Sequence, residues 1–334
     1  MKRMPVGKLS STYLGELLQR HCRPDARVVV GPRIGEDAAV IDMGTSYLVA
    51  ASDPITFAAE AIGHYAVQVN ANDLATMGAE PRWFLATLLL PERQTSEALV
   101  ENLFSQLSQA CQQMDISWIG GHTEITVGLD RPIVVGTMLG QVKKDRLVTS
   151  SGAQVGDAVI LTKGIAVEAT AIISREKEVE LKSKYSRKFL KRCKALLYRP
   201  GIGVLRDARA ATQVARVHAM HDPTEGGLAT GLRELAAASG VGLRVQREAI
   251  DILPETARLC DEFGLDPLGA IASGALLIAT SPEDSQKVLD ALTSEEIAAT
   301  IIAKVTDQAG VYWEDGSALP EFERDEVARL FEGW

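Results

Sequence analysis

The strongest constraint on this chain is how its apolar residues are grouped. Short apolar or β-branched runs bounded by Gly, Pro and Asp alternate with longer segments in which apolar residues recur at helical spacing. VVV precedes Gly31-Pro32, AVID precedes Met43-Gly44, and YLVAAS precedes Asp53-Pro54, so residues 28 to 52 read as three strands. The next segment, AEAIGHYAVQVNANDLATMGAEP, places Ile62, Tyr65, Ala66, Val69, Leu74 and Met77 on helical spacing, with Gly78 and Pro81 as stop signals. RWFLATLLLP then reads as a buried strand and SEALVENLFSQLSQACQQMD as an amphipathic helix. ISWIGGHTEIT reads as a strand running into a glycine turn, and PIVVGTMLGQV as a further strand.

The segment KKDRLVTSSGAQVGD interrupts this pattern, and a new strand, AVILTKG, follows it. This places a domain boundary at residue 148, giving domains 1–148 and 149–334. A length of 334 residues suits two domains, because single cores seldom grow beyond about 250–300 residues. The second half holds a charge-rich stretch with seven basic residues and no acidic one between Lys182 and Lys194, read as a solvated helix face. No apolar run approaches the roughly 18 residues of a membrane span, and the four cysteines are scattered without a C-x-x-C pair. A cytoplasmic protein is expected, with no membrane partner. Asp plus Glu outnumber Lys plus Arg by 44 to 35, a net charge of −9, which argues against nucleic acid.

The chemistry is carried by acidic segments, since no G-x-x-x-x-G-K-[ST], H-E-x-x-H or G-x-S-x-G sequence occurs. Gly35-Glu36-Asp37 leads a strand, and Asp53 ends one; each is equally a plain turn. Asn72-Asp73 lies inside a helical pattern, where these residue types cost helix propensity; the alternative is a helix broken and recapped there. Gly120-Gly121-His122-Thr123-Glu124 combines exposed backbone N–H groups with a carboxylate, or is a tight turn. Together they offer hard oxygen ligands of the kind Mg²⁺ takes. A divalent cation would also reconcile an acidic chain with a polyphosphate ligand.

The order GEDAAVI, SDP, NDLATMGAEP, GGHTE and DPTEGGLATGLRELAAASG resembles the aminoimidazole ribonucleotide (AIR) synthase superfamily, also called PurM-like, and within it HypE-type proteins. The resemblance spans nearly the whole chain. It implies an α+β fold of two domains: an N-terminal mixed sheet that pairs with a second subunit's to close a barrel, and an α/β-layered C-terminal domain. It also implies ATP and Mg²⁺ as cofactors and a homodimer. By the same resemblance Asp37, Asp53, Asp73 and Glu124 are the expected metal ligands, and Asn72, Gly121 and Thr123 line the phosphate path. In the second domain Asp222 or Thr224 is expected to cap a helix whose N-terminus, left bare by Gly226 and Gly227, cradles an anionic or polarised group. His221 beside them is the candidate general base.

The implied function is phosphorylation of an amide, thioamide or similar oxygen on a small-molecule or protein-borne acceptor, as in HypE-like hydrogenase maturation. Two alternatives stand beside it: a nucleotide-binding partner in metalloenzyme assembly without catalysis, and a thiamine-monophosphate kinase-like enzyme. Several residues depart from the family pattern. Glu36 replaces the first Asp of the usual G-D-D turn, His122 stands where relatives often carry an acid, and Glu225 replaces the arginine frequent in HypE. The last cysteine, Cys260, lies 74 residues before the end, so a carrier cysteine of the HypE kind is not expected. Cys22 is followed by Arg23-Pro24-Asp25, unlike the nucleophile segment of selenophosphate synthetase.

Overall fold

The computed structural model describes residues 9–33, 35–56 and 60–331. After helix α1 (Ser11–His21), the chain builds a first sheet from β1 (Val28–Val30), β2 (Ala39–Asp42), β3 (Tyr47–Ala51), β4 (Pro54–Ile55), β5 (Glu80–Pro91), β6 (Ser117–Thr126) and β7 (Ile133–Val142). The strands lie in the order β1-β2-β3-β7-β5-β6, with β4 beside β7. β5 and β6 are parallel and the other pairs antiparallel, so the sheet is mixed. Helices α2 (Ile62–Thr76) and α3 (Glu97–Gln113) cover one face.

Strand alternation explains why only one face is covered. Phe84, Ala86, Leu88 and Leu90 of β5, with Val134 and Met138 of β7, point into the layer under α2 and α3 and are buried. Leu85 and Leu89, with Val135 and Leu139, point the other way and stay half-buried.

The second sheet contains β8 (Ala158–Thr162), β9 (Val217–His221), β10 (Gly242–Val245), β11 (Leu277–Thr280), β12 (Ala299–Thr306) and β13 (Gly310–Trp313). Its order is β13-β10-β12-β8-β11-β9. Helices α4 (Val167–Glu176), α5 (Glu178–Leu181), α6 (Arg187–Ala195), α7 (Leu205–Val214), α8 (Gly227–Ser239), α9 (Pro254–Phe263) and α10 (Pro282–Ser294) complete the chain. This sheet is covered on both faces. Val159 and Leu161 of β8 pack with Leu228, Leu232 and Leu235 of α8, while Ile160 packs with Ala208 and Ala211 of α7 and Val288 and Leu292 of α10. All five β8 residues are buried, as a strand between two helical layers requires.

The apolar interior runs on between the two halves. Tyr65 and Leu74 of α2 share a core with Ala169 and Ile173 of α4 and Leu190 of α6. The basic stretch lies mostly on α6, and acids from neighbouring helices pair with part of it: Lys184 with Glu262 (2.5 Å), Arg192 with Glu255 (2.7 Å) and Lys194 with Glu178 (3.0 Å). Among the described residues no helix is long and apolar enough to cross a membrane.

Two local expectations are corrected. Gly120-Gly121 is not a turn: β6 continues through it after a register irregularity at Ile119, with Gly120 and Gly121 paired to Leu85 and Ala86 of β5. A Cβ on Gly121 would stand 1.9 Å from the Ala86 carbonyl oxygen, so this close strand pairing is what requires the glycine. Neither Asp222 nor Thr224 caps α8. The cap residue is Gly226, in the left-handed region at φ 81°, with no side-chain cap of its own. Its N–H donates instead to Asp325 Oδ2 at 2.8 Å. The helix start that sequence reading left bare therefore holds a carboxylate from the C-terminal segment, where it suits the positive end of the helix dipole.

Candidate functional site

Four acids from four separate segments meet where the first sheet, α2 and the end of β9 adjoin. Asp37 comes from the turn before β2, Asp53 from the link between β3 and β4, Asp73 from the middle of α2, and Asp222 from the residue after β9. α2 is unbroken, so Asp73 is presented by a rigid helix rather than a recapped end. Asn70, one turn earlier, holds its partner in place: its Oδ1 accepts from the Asp53 N–H at 2.9 Å and its Nδ2 donates to the Asp53 carbonyl at 3.2 Å.

The electrostatics follow from crowding like charges in a dry place. Burial pushes the Asp73 carboxyl well above the usual range, and the charges of Asp53, Asp222 and Asp37 push in the same direction; Asp73 also shares a hydrogen bond with Asp53. Burial likewise raises Asp222, followed by the charge of Asp37, with His221 acting against them. One oxygen of Asp222, Oδ2, is buried without a hydrogen-bond partner.

His221 sits between two carboxylates, with Nδ1 3.3 Å from Asp37 Oδ2 and Nε2 3.0 Å from Glu234 Oε2. Burial disfavours its charge, but Asp37 and Glu234 outweigh burial and hold its pKa well above the ordinary histidine value. The residue expected as a general base therefore has both ring nitrogens within reach of carboxylates, an arrangement that orients Asp37 and favours the charged imidazole. Ser150 adds a donor to Asp37 Oδ2 at 3.4 Å.

The other expected residues divide clearly. Asn72 is fully buried and ties the two halves together: its Nδ2 donates to the Ile202 carbonyl and its Oδ1 accepts from the Val204 N–H, both at 2.8 Å. Gly121, Thr123 and Glu124 lie on exposed β6, and Glu124 bonds His122 at 3.2 Å. The Gly136 N–H bonds the Asp53 carbonyl, Gly136 pairs with Ala86, and Ala86 pairs with Gly121. Strand spacings of about 4.8 Å thus separate β6 from Asp53 by roughly 14 Å within one chain. Thr224, Gly226 and Gly227 follow Asp222 around the start of α8, where the Thr224 carbonyl accepts from the Gly227 N–H at 3.0 Å.

Asn70, Glu234 and Asp325 were not singled out from the sequence. Asn70 carried a signal, an amide one helical turn before Asp73 in an apolar stretch; Glu234 and Asp325 carried none, because only the tertiary fold brings them to the site. Among the described residues no three His, Cys, Asp or Glu side chains are placed to hold one metal ion, so the acids are in electrostatic contact without closing on a single point. Their chemistry nevertheless fits a hard divalent cation: every donor is an oxygen, one is unpartnered, and their mutual repulsion is what such an ion relieves.

Comparison with known proteins agrees with this architecture. The AIR synthase related protein N-terminal domain matches residues 35–142, and the corresponding C-terminal domain matches residues 154–315. A Methanocaldococcus jannaschii protein named provisionally for hydrogenase expression/formation is 31% identical over 266 residues, covering 77% of this chain and 75% of that one. The carbamoyl dehydratase HypE of Rhizobium leguminosarum bv. viciae is 29% identical over 274 residues, covering 80% and 75%. Among solved structures, AaThiL complexed with AMPPCP and TMP superposes with a TM-score of 0.74 at 20% identity, covering 95% of this chain and 99% of that one.

Proposed function

Because the chain belongs to the AIR synthase related family, we propose that it is an ATP- and Mg²⁺-dependent enzyme that phosphorylates an oxygen of a small-molecule or protein-borne acceptor, in a HypE-like maturation role. The observation that carries this reading is the convergence of Asp37, Asp53, Asp73 and Asp222, four buried or half-buried acids whose crowding calls for a cation. Mg²⁺ held by these residues would supply the charge that lets an acidic site take a polyphosphate. The AMPPCP-bound neighbour supports the nucleotide part of the reading.

The residues themselves supply positioning. Asn70 fixes the Asp53 backbone, α2 sets Asp73, and His221 with Ser150 orients Asp37. Preorganised charges of this kind contribute most of the rate in phosphoryl transfer, where little covalent work falls to the protein.

Binding of AMPPCP by calorimetry, with and without Mg²⁺, tests the site. Wild-type protein should bind only with Mg²⁺ present, and Asp53→Ala or Asp73→Ala should weaken binding by about a hundredfold or more. Unchanged affinity in both variants would sink the assignment.

A homodimer formed through the uncovered face of the first sheet belongs to the same proposal. The half-buried Leu85, Leu89, Val135 and Leu139 and the exposed Ile119 of β6 support it. Pairing through this face would also give β6 of one copy, with Gly121, Thr123 and Glu124, a second subunit to act on.

A further inference from the structure

Beyond Asp222-Pro223-Thr224, away from the four acids, lies a second polar site. The Thr224 carbonyl accepts from the Ala272 N–H and the Ile271 carbonyl from the Ala169 N–H, each at 3.3 Å. The loop 270–275 is thereby clamped between the start of α8 and the first turn of α4. This brings Ser273 to Glu168, whose carboxyl it holds through both its hydroxyl and its backbone N–H.

Two polar atoms at this place lack partners. Glu168 is 5% exposed, yet its Oε2 has no hydrogen bond; Tyr65 is 1% exposed, and its hydroxyl has none either. The two side chains interact electrostatically, although one comes from α2 and the other from α4. Burying such groups unpaired is costly, so the pair is unfavourable unless something else completes it.

The surroundings indicate what completes it. After burial and the Ser273 bonds, the charges acting most strongly on Glu168 are those of Asp325 and Glu225, both negative. Asp325 is already engaged by the Gly226 and Val327 N–H groups, each at 2.8 Å. Arg175, a basic group acting on Tyr65, spends its two terminal nitrogens on the carbonyls of Ala171 and Lys194, both at 2.9 Å, and turns its Nε to Glu60 at 3.4 Å. A metal ion is disfavoured, since one of the two open donors is a tyrosine hydroxyl, which hard divalent cations seldom take as a ligand. An anion would meet three carboxylates.

We propose that Glu168, with Tyr65 and Glu225, forms the acceptor subsite of this protein and selects an acceptor carrying a cationic nitrogen, an ammonium or amidinium group. The group's N–H donors satisfy Glu168 Oε2 and the Tyr65 oxygen, and its charge is balanced by Glu168 and Glu225. The inference rests on the phosphoryl-transfer reading only in making this the acceptor's site. Glu225 is the position where an arginine would instead favour an anionic acceptor.

Calorimetry on the full chain tests it with charge-matched probes at fixed ionic strength: methylammonium, ethanolamine and putrescine chlorides against sodium acetate, glycolate and succinate, with and without Mg²⁺ and AMPPCP. At least one ammonium probe should bind about tenfold or more tightly than its carboxylate counterpart, and Glu168→Gln and Tyr65→Phe should each weaken that binding about tenfold. Equal binding of ammonium and carboxylate probes overturns the proposal, as does ammonium binding undiminished in both variants. If one variant fails to fold, the other decides. Ammonium binding by a wild-type protein that does not bind AMPPCP upholds the cationic subsite and overturns the nucleotide reading.

Discussion

Glu168 shows how a single residue can set the pH response of a domain. Burial, only partly offset by Ser273, pushes its carboxyl from 4.5 to about 7. The folded state therefore holds a proton that the unfolded chain releases near 4.5. Its contribution is favourable below that value and is lost as pH rises through about 7. Glu168→Gln removes the titration, so its stability relative to wild type should rise by up to about 3 kcal/mol between pH 4.5 and 8. Urea denaturation across that range would read this directly, and a constant difference would contradict it. At the same scale, Asp73 was legible in the sequence because a carboxylate beside Asn72 in a helical pattern is poorly explained by local structure alone, whereas Asp53 before Pro54 reads equally as a plain turn. The surroundings of His221 were not legible, since Asp37 and Glu234 approach it only in three dimensions.

At the scale of elements, periodicity located most strands and helices, since burial on one face or both leaves a spacing in the text. It failed where backbone geometry overrode composition. Two adjacent glycines suggest a turn, yet here they allow β6 to run close to β5. Gly121→Ala should shift that pairing and cost about 2–4 kcal/mol, measured as a lowered denaturation midpoint; a neutral effect would show that the strands can separate freely. The start of α8 was misread for a related reason. Left-handed glycine geometry replaced a side-chain cap, and the carboxylate that serves it, Asp325, is 99 residues away in sequence. No local pattern records a partner at that distance.

For the whole molecule, two sheets with different coverage make different demands on their surroundings. The second is enclosed by helices on both faces. The first leaves one apolar face half open, and this is where a second copy belongs in the proposed dimer. Ile119→Asp, at a residue 53% exposed, should leave the fold intact but convert a dimer to a monomer, as read by size-exclusion chromatography with light scattering. A wild-type monomer, or a variant that stays dimeric, would argue against pairing through this face.

The sequence by itself determined the strand and helix pattern and the order of acidic motifs, because spacing and charge are properties of the chain. Tertiary structure alone decided which acids meet, that His221 lies between Asp37 and Glu234, that Asn72 ties the two halves, and that Glu168 and Tyr65 are each buried with an unpartnered oxygen. Those outcomes depend on burial and on contacts between segments that lie far apart in sequence, where hydrogen bonds and desolvation are set by the packed fold.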